Sequence, residues 1–273
     1  MTWNDPQPAR SESGGRMPER FRMPSIFAWA VFVGFLAFFI QGVMAVDADA
    51  QRWVQGFSNL GDFFSRALPP DLSNLDIVGW AMLETLNMAV VGVVFGVVLS
   101  VPMGLLAASN LAPHPVVRAI ARGVVATLRT VPELVWALIF VAAVGLGPMA
   151  GILAIVMDTI GFCARFFAER FEEIPSGPAD GIKSAGGGRL AAIGGAILPE
   201  ALASMTATSL FGVEKAIRSA VILGLVGAGG IGVELNQAMS LFNYDAAMTI
   251  IIMIVAVVFT IEQVSSAIRR RVL

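Results

Sequence analysis

Arg129 and Glu133 stand four residues apart in the stretch "LRTVPELVW", with apolar sequence on both sides. An arginine and a glutamate at that spacing share one face of a helix and can neutralise each other. An ionisable side chain at bilayer depth costs about 3 kcal/mol or more, so it faces a cavity or a partner. Asp158, on the next apolar stretch, is a third charge within reach of the pair. Glu214 and Arg218 repeat the spacing further along, with Lys215 beside them. Two readings stay open for the first cluster: a satisfied polar joint between helices, or a direct place in a solute pathway. For the second, the choice is between an interfacial anchor and cations that meet an anionic solute near an outer vestibule. Arg218 is the better candidate of the two cations, with Glu214 one turn earlier to hold it, and Lys215 falls on a different face.

Other chemistries fit less well. "GAGGIG", Gly227 to Gly232, matches the dinucleotide fingerprint letter for letter. That fingerprint has meaning only between a strand and a helix of a βαβ unit, and here its neighbours are apolar helical stretches. Gly227 and Gly229 are better used for a sharp backbone turn packed close to another helix. No G-x-x-x-x-G-K-[ST] occurs, so the chain has no phosphate-cradling loop of that type. An intramembrane serine protease needs a histidine at depth, and the single His114 stands between two prolines in a loop. The single Cys163 cannot form an intrachain disulfide and reads as a small packing residue. No metal-ligand cluster and no catalytic residues are expected.

The elements that must position these residues are membrane helices. The 273 residues are 56% hydrophobic and 14% charged, against roughly 45–50% and 25% in a soluble domain; mean hydropathy is +0.77. A helix needs about 20 predominantly apolar residues to cross a bilayer. Six stretches qualify, near residues 23–46, 78–108, 119–144, 148–166, 193–213 and 246–267. The first has too long an apolar core for a signal peptide and reads as a retained anchor. Residues 219–233 read as a broken or re-entrant segment at the outer side rather than a seventh crossing. Basic residues mark cytoplasmic loops. Arg16, Arg20, Arg118, Arg122, Arg170, Lys183 and Arg269 to Arg271 all fall in alternate connections, while Asp47, Asp49, Asp62, Asp71 and Asp76 fall opposite. Both termini are therefore expected inside. The expected organisation is a cytoplasmic tail (1–24), an anchor helix (25–46), an external acidic loop (47–76) and a membrane core (77–273) with a large cytoplasmic loop at 167–193.

That loop contains "PADGIKSAGGGRLAAIGGAILPEA". Asp180-Gly181-Ile182, three residues, Gly186, nine residues, then Ala196-x-Leu198-Pro199 resembles the E-A-A…G…I-x-L-P signature of ABC importer permeases. Here Asp180 stands for the Glu, Gly181 and Ile182 for two Ala, and Ala196 for the Ile. In that family the loop forms a coupling helix that fits a cleft on a separate ATPase subunit. The resemblance implies docking roles for Asp180, Gly181, Gly186, Gly187, Leu198 and Pro199; the candidates for a translocation pathway, from their charge and the glycine break, are Arg129, Glu133, Glu214, Arg218, Gly227 and Gly229.

The wording elsewhere is more specific. "ETLNMAVVGVVFGVVLSVPMGLLAASN" (84–110), "LRTVPELVWALIFVAAVGLGPMAG" (128–151), "FFAERFEEI" (166–174) and "ILGLVGAGGIG" (222–232) followed by "LFNYD" (241–245) are similar to the permeases of phosphonate-type ABC importers. The resemblance covers about residues 75–273. It implies an all-α, six-span permease of the type I, methionine-importer-like fold in the plasma membrane. It also implies a permease homodimer, two ATPase subunits that bind the ATP and Mg, and an external solute-binding protein delivering a phosphonate or related phosphorus oxyanion. No cofactor belongs to this chain, and no nucleic acid is implied. A phosphate, phosphite or methionine permease shares most of the fold. A non-transporting membrane scaffold is the alternative from another class, and it would tolerate neutral residues at 129 and 133.

Overall fold

A computed structural model describes residues 25–45 and 50–272, and every regular element among them is helical. The expected tail at 1–24 lies outside the described residues. The chain divides into two units, residues 1–61 and 62–273. In the first, α1 (Ile26–Ala45) is twenty residues long with no buried residue. At 1.5 Å per residue it is about 30 Å long, the thickness of the hydrocarbon layer. Its surface is apolar all round, as expected of a helix that meets lipid. The segment expected as an acidic loop at 47–76 contains instead an eighteen-residue helix, α2 (Ala50–Ala67). Its polar residues lower the average hydropathy and conceal a helical period.

The second unit is built on α3 (Leu75–Ala107) and α6 (Pro148–Glu173). Met88, Gly92, Gly96, Ser100 and Gly104 recur every fourth residue and are buried on one face of α3. A Cβ on Gly92 would lie 2.6 Å from Ile155 Cγ2, one on Gly96 2.5 Å from Thr159 Cβ, and one on Gly104 3.0 Å from Phe167 Cβ. The missing side chains let two backbones approach closely, the usual basis of helix association in lipid. The contacts ascend both helices in the same order, so α3 and α6 run parallel. A return crossing must therefore join them.

That crossing is made by α4 (Pro115–Thr130) and α5 (Glu133–Val144), bent by 91° at their junction. His114 caps α4, its Nδ1 accepting from Val116 N at 3.2 Å, with Pro115 in the first turn. After α6 come α7 (Gly177–Ser184), α8 (Arg189–Ala192), a π-helical turn at Ile193–Ile197 and α9 (Leu198–Leu225). Residues 189–225 form one helical run of 37 residues, longer at both ends than the expected crossing at 193–213. Ala201 and Met205 pack with Phe167 and Phe171, while Ala216 and Ala220 pack with Ala154 and Ile155, so α9 is antiparallel to α6. α10 (Ile231–Ser240) and α11 (Tyr244–Val272) complete the unit. At ten residues α10 is too short to cross.

Two faces result. On one, Asn110 Nδ2 donates to Phe171 O at 2.8 Å, Ser109 N to Glu172 Oε1 at 2.5 Å, and Arg189 to Leu111 O, close to α7. On the other, Gly147 N donates to Gly227 O at 2.9 Å and Thr249 Oγ1 to Asp71 O at 2.6 Å. Five described helices are long and apolar enough to cross a membrane, and six when the bent α4–α5 pair counts as one. Cys163 is fully buried among Phe167, Met205 and their neighbours, a packing residue as expected.

The α3–α6 seam gives a direct test. Gly96→Leu should destabilise the detergent-solubilised protein by about 1–3 kcal/mol, the usual range for overpacking, read as a drop in thermal midpoint. Gly34→Leu on α1, with nothing within 4 Å of its would-be Cβ, should leave that midpoint unchanged.

Candidate functional site

The residues singled out by charge do not pair as their spacing suggests. Proline disfavours the α conformation in the residue before it, and Val131, before Pro132, is extended (φ −76°, ψ 120°). The helix breaks there, so Arg129 ends α4 while Glu133 begins α5. Arg129 and Glu133 are on different helices, and no ion pair joins them. The groups acting on the Glu133 carboxyl are Ser219, Asp158 and Lys215, and its Oε1 is buried without a hydrogen-bond partner.

The central ion pair is Lys215 with Asp158, at 2.5 Å between α9 and α6, with the ammonium 5.5 Å from the centre of the Phe162 ring. Both side chains are at least half-buried. Lys215, set aside in the sequence for its face, is thus the structural cation of the cluster, and Asp158 is its partner. The available signal was a single lysine and a single aspartate on two successive apolar spans.

Glu214 pairs with Arg269 of α11 at 3.0 Å and not with Arg218. Its side chain is only 6% exposed. The expected outer vestibule is corrected by the length of α9. Because that helix runs to Leu225, residues 214–218 lie level with the first half of α6, where Asp158 sits, and not at the end of a span. Arg218 is exposed on the unit's surface and has no ion pair among the described residues.

Arg129 is in the same position. A Cβ on Gly161, halfway along α6, would lie 3.0 Å from Arg129 N, so this residue too is at mid-helix depth. Its side chain is exposed and lines a cleft of about 630 Å³ with Arg122, Arg165, Thr130, Glu169 and Glu172. Arg122 is bound to Glu172 at 2.6 Å and Arg165 to Glu169 at 2.8 Å. Arg129 alone among the three arginines has no carboxylate partner among the described residues. The cleft carries three arginines and two glutamates and is cationic.

The glycine-rich turn is a docked structure. Gly227, Gly229 and Gly230 have φ of +88°, +87° and +73°, where an L side chain is strained. Gly230 N donates to Glu84 Oε1 at 3.2 Å and Ile231 N to Thr85 Oγ1 at 2.7 Å. A Cβ on Gly230 would meet Thr85 Oγ1 at 2.4 Å, which binds the turn to α3. It has no strand before it, so nucleotide binding by this motif is set aside. Glu84 is the residue that sequence reasoning missed; it lies in an apolar span with no charged neighbour to mark it.

The loop facing away from that turn is ordered by α7. Gly186 N donates to Lys183 O at 3.0 Å and Gly187 N to Ile182 O at 2.9 Å, with Gly186 at φ +88°. This pair of bonds is the Schellman termination, which favours glycine at the left-handed position. Asp180 is exposed in the first turn of α7. Its hydrogen bond from Lys183 at 3.1 Å, and a further one involving Ser176, hold its carboxyl below the usual range. Ile182 packs back toward Gly195 in the π turn, 3.1 Å from where a Cβ would be. Pro199 follows in the first turn of α9, and Leu198 N reaches back to Ile193 O across that π turn. A proline leaves a carbonyl unpaired one turn back, and an i→i+5 turn is a known accommodation. The structure thus places Asp180, Gly181, Gly186 and Gly187 on α7 and its terminating turn and Leu198 and Pro199 at the base of α9, and leaves Arg129 and Arg218 at depth.

Residues 100–272 match the family of binding-protein-dependent transport system inner membrane components, and the chain belongs to that family. It is a multi-pass inner-membrane protein of the permease class. The phosphate-import permease protein PhnE of Mycolicibacterium smegmatis is 40% identical over 220 residues, 80% of this chain, which spans 41% of that relative's length. The phosphite transport system permease protein PtxC of Stutzerimonas stutzeri is 33% identical over 222 residues, 81% of each chain. A chain of the MetNI methionine ABC transporter in an inward-facing conformation superposes with a TM-score of 0.65 at 22% identity, covering 74% of this chain and 99% of that one. The methionine-importer-type permease fold expected from the sequence is therefore the fold observed.

The buried pair supplies a prediction. Asp158→Asn or Lys215→Met alone strands a charge at depth and should lower stability by about 3–5 kcal/mol. The double variant should be milder than either, measured as folded fraction against denaturant in mixed micelles.

Proposed function

We propose that the chain is the permease subunit of an ATP-driven importer carrying phosphonate or a related phosphorus oxyanion across the plasma membrane. The observation that carries this reading is a pair of arginines, Arg129 and Arg218, exposed at mid-helix depth without a carboxylate partner among the described residues. Facing lipid, each would be costly. Facing a water-filled path between two permease copies, each attracts an anion. The named substrates of the relatives in M. smegmatis and S. stutzeri, phosphate and phosphite, are oxyanions of this class. A methionine substrate, as named for the similar fold, gains less from two unpaired cations.

In this reading two copies of the chain form the pathway, and an external solute-binding protein delivers the ligand at the glycine-turn face. α7 and its Schellman turn dock in a cleft on each of two ATPase subunits, which bind the ATP and Mg. In this reading both termini are cytoplasmic. Glu133 and the Lys215–Asp158 pair fix α5, α6 and α9 against one another, and Arg129 and Arg218 are the residues that meet the solute. Gly227 and Gly229 shape the turn at the entry side.

Two experiments test it. Arg129→Gln and Arg218→Gln should each cut uptake of the anion by about tenfold, about 1.4 kcal/mol in barrier, in vesicles carrying the full complex with binding protein supplied. Wild-type uptake by both variants would remove these cations from the pathway. Gly186→Arg should leave the permease inserted but break the α7 turn, so that ATP hydrolysis no longer responds to loaded binding protein. Ordinary stimulated hydrolysis in that variant would show that α7 is not the docking element.

A further inference from the structure

α2 has a complete apolar face that the chain leaves open. Trp53, Val54, Phe57, Leu60 and Phe64 are 66%, 70%, 73%, 52% and 47% exposed. At about 100° per residue they fall within one half of the helix circumference. Gln55, Ser58, Asn59, Asp62, Ser65 and Arg66 fill the other half. A water-soluble exterior rarely shows such a stripe of large apolar groups.

The ends of α2 fix what can cover it. Its last turn is held at the face opposite α7: Phe63 meets Tyr244 edge to face, with centroids 5.1 Å apart. The linker that follows is tied there as well, Asp71 N donating to Asp245 O at 3.3 Å. α3 and α11 begin at that face. At the other end only residues 46–49 separate α2 from Ala45, the end of a twenty-residue apolar helix. Ala45 and Ala50 are five residues apart, at most about 18 Å, so α2 also begins near the bilayer surface where α1 emerges. α2 is eighteen residues, about 27 Å long, and too polar on one half to cross the bilayer; as the connector between the apolar helices α1 and α3 it stays at one membrane surface.

We infer that α2 is an interfacial helix whose Trp53–Phe57–Leu60–Phe64 stripe is seated in the lipid surface on the side opposite α7. The occupant is the bilayer itself, at the boundary of headgroups and acyl chains, where tryptophan and phenylalanine are favoured on the apolar side of such helices. The seat keeps the connection from α1 to α3 along the membrane surface. It does not depend on which solute the permease carries.

Single spin labels on the full-length chain, in vesicles of phosphatidylethanolamine and phosphatidylglycerol, test the seat. Labels at Trp53→Cys, Phe57→Cys, Leu60→Cys and Phe64→Cys, in a Cys163→Ala background, should collide with oxygen more than with a water-soluble nickel chelate. Their depth should be roughly 5–10 Å below the headgroups. Labels at Gln55→Cys, Asn59→Cys and Asp62→Cys should show the reverse, giving a helical period in the collision ratio. Nickel access at 57 and 60 would mean a helix standing in water, and would overturn the inference. Immobile labels shielded from both reagents would mean a protein partner, whether a second copy or a binding protein, and would overturn it equally. Because no uptake enters the measurement, its failure is separate from failure of the importer reading.

Discussion

The close parallel approach of α3 and α6 is the constraint on which the rest of the structure depends. Gly92, Gly96 and Gly104 give up side chains so that Ile155, Thr159 and Phe167 can lie against backbone. Ser100 stays in the seam because its hydroxyl finds carbonyl acceptors there, Gly96 O at 2.6 Å and Thr159 O at 3.4 Å. Parallel neighbours cannot be joined by a tight turn, so the chain must cross back between them. It does so on α4 and α5, and the break at Val131–Pro132 lets the crossing bend around α6. The break places Arg129 in a cleft and aims Glu133 toward Ser219, Asp158 and Lys215. One packing requirement thereby sets both the open cation and the closed polar cluster.

The charges at depth divide into two groups by what they find there. Asp158 with Lys215 and Glu214 with Arg269 are neutralised between helices, and each pair ties α9 to a different neighbour. Pairs of this kind add little net stability compared with apolar packing, yet they fix rotation and register, since a helix turned by one position strands both charges. Arg129 and Arg218 are the residue of that arrangement. Glu172, Glu169 and Glu214 are committed to Arg122, Arg165 and Arg269, and neither Arg129 nor Arg218 has an ion pair among the described residues.

The sequence was legible where the physics is local. Runs of apolar residues marked the spans, and the Asp180-to-Pro199 spacing marked α7 and the start of α9. The glycines of "GAGGIG" read correctly as a tight, closely packed turn. Pairing was not legible. The i, i+4 rule assumes a continuous helix, and Pro132 interrupts it between Arg129 and Glu133. Glu214 and Arg218 do share a helix, but Arg269, 55 residues on, competes successfully for the carboxylate from a packed neighbour. Lys215 was discounted for its face because the face of α6 opposite it was unknown. α2 escaped notice for a different reason: an amphipathic helix has low mean hydropathy, and a search for spans averages its stripe away.

The long run from Arg189 to Leu225 gives the importer reading its mechanical form. Ile182 of α7 rests on the π turn at Ile193–Ile197, so α7 is seated on the base of that run. A π turn and a following proline make a bend cheap at one point, and the remainder of α9 has no comparable break. Any displacement of α7 by a partner therefore acts on a rod that carries Lys215 and Arg218 and ends at the glycine turn. Gly224 and Gly232 meet there so closely that a Cβ on the first would lie 2.6 Å from the Cα of the second. The far end of the rod is thus clamped to α10 while its base bears on α7. Motion between two clamped ends appears as rotation or tilt of the middle, which is where the two cations and the Asp158–Lys215 pair are. Ala216 and Ala220 pack against Ala154 and Ile155, and the Asp158–Lys215 pair joins the same two helices, so α6 is carried with α9, and the α3 seam carries α3 with α6. The cleft around Arg129 lies between α4 and this α3–α6 pair, so such a motion changes its width directly.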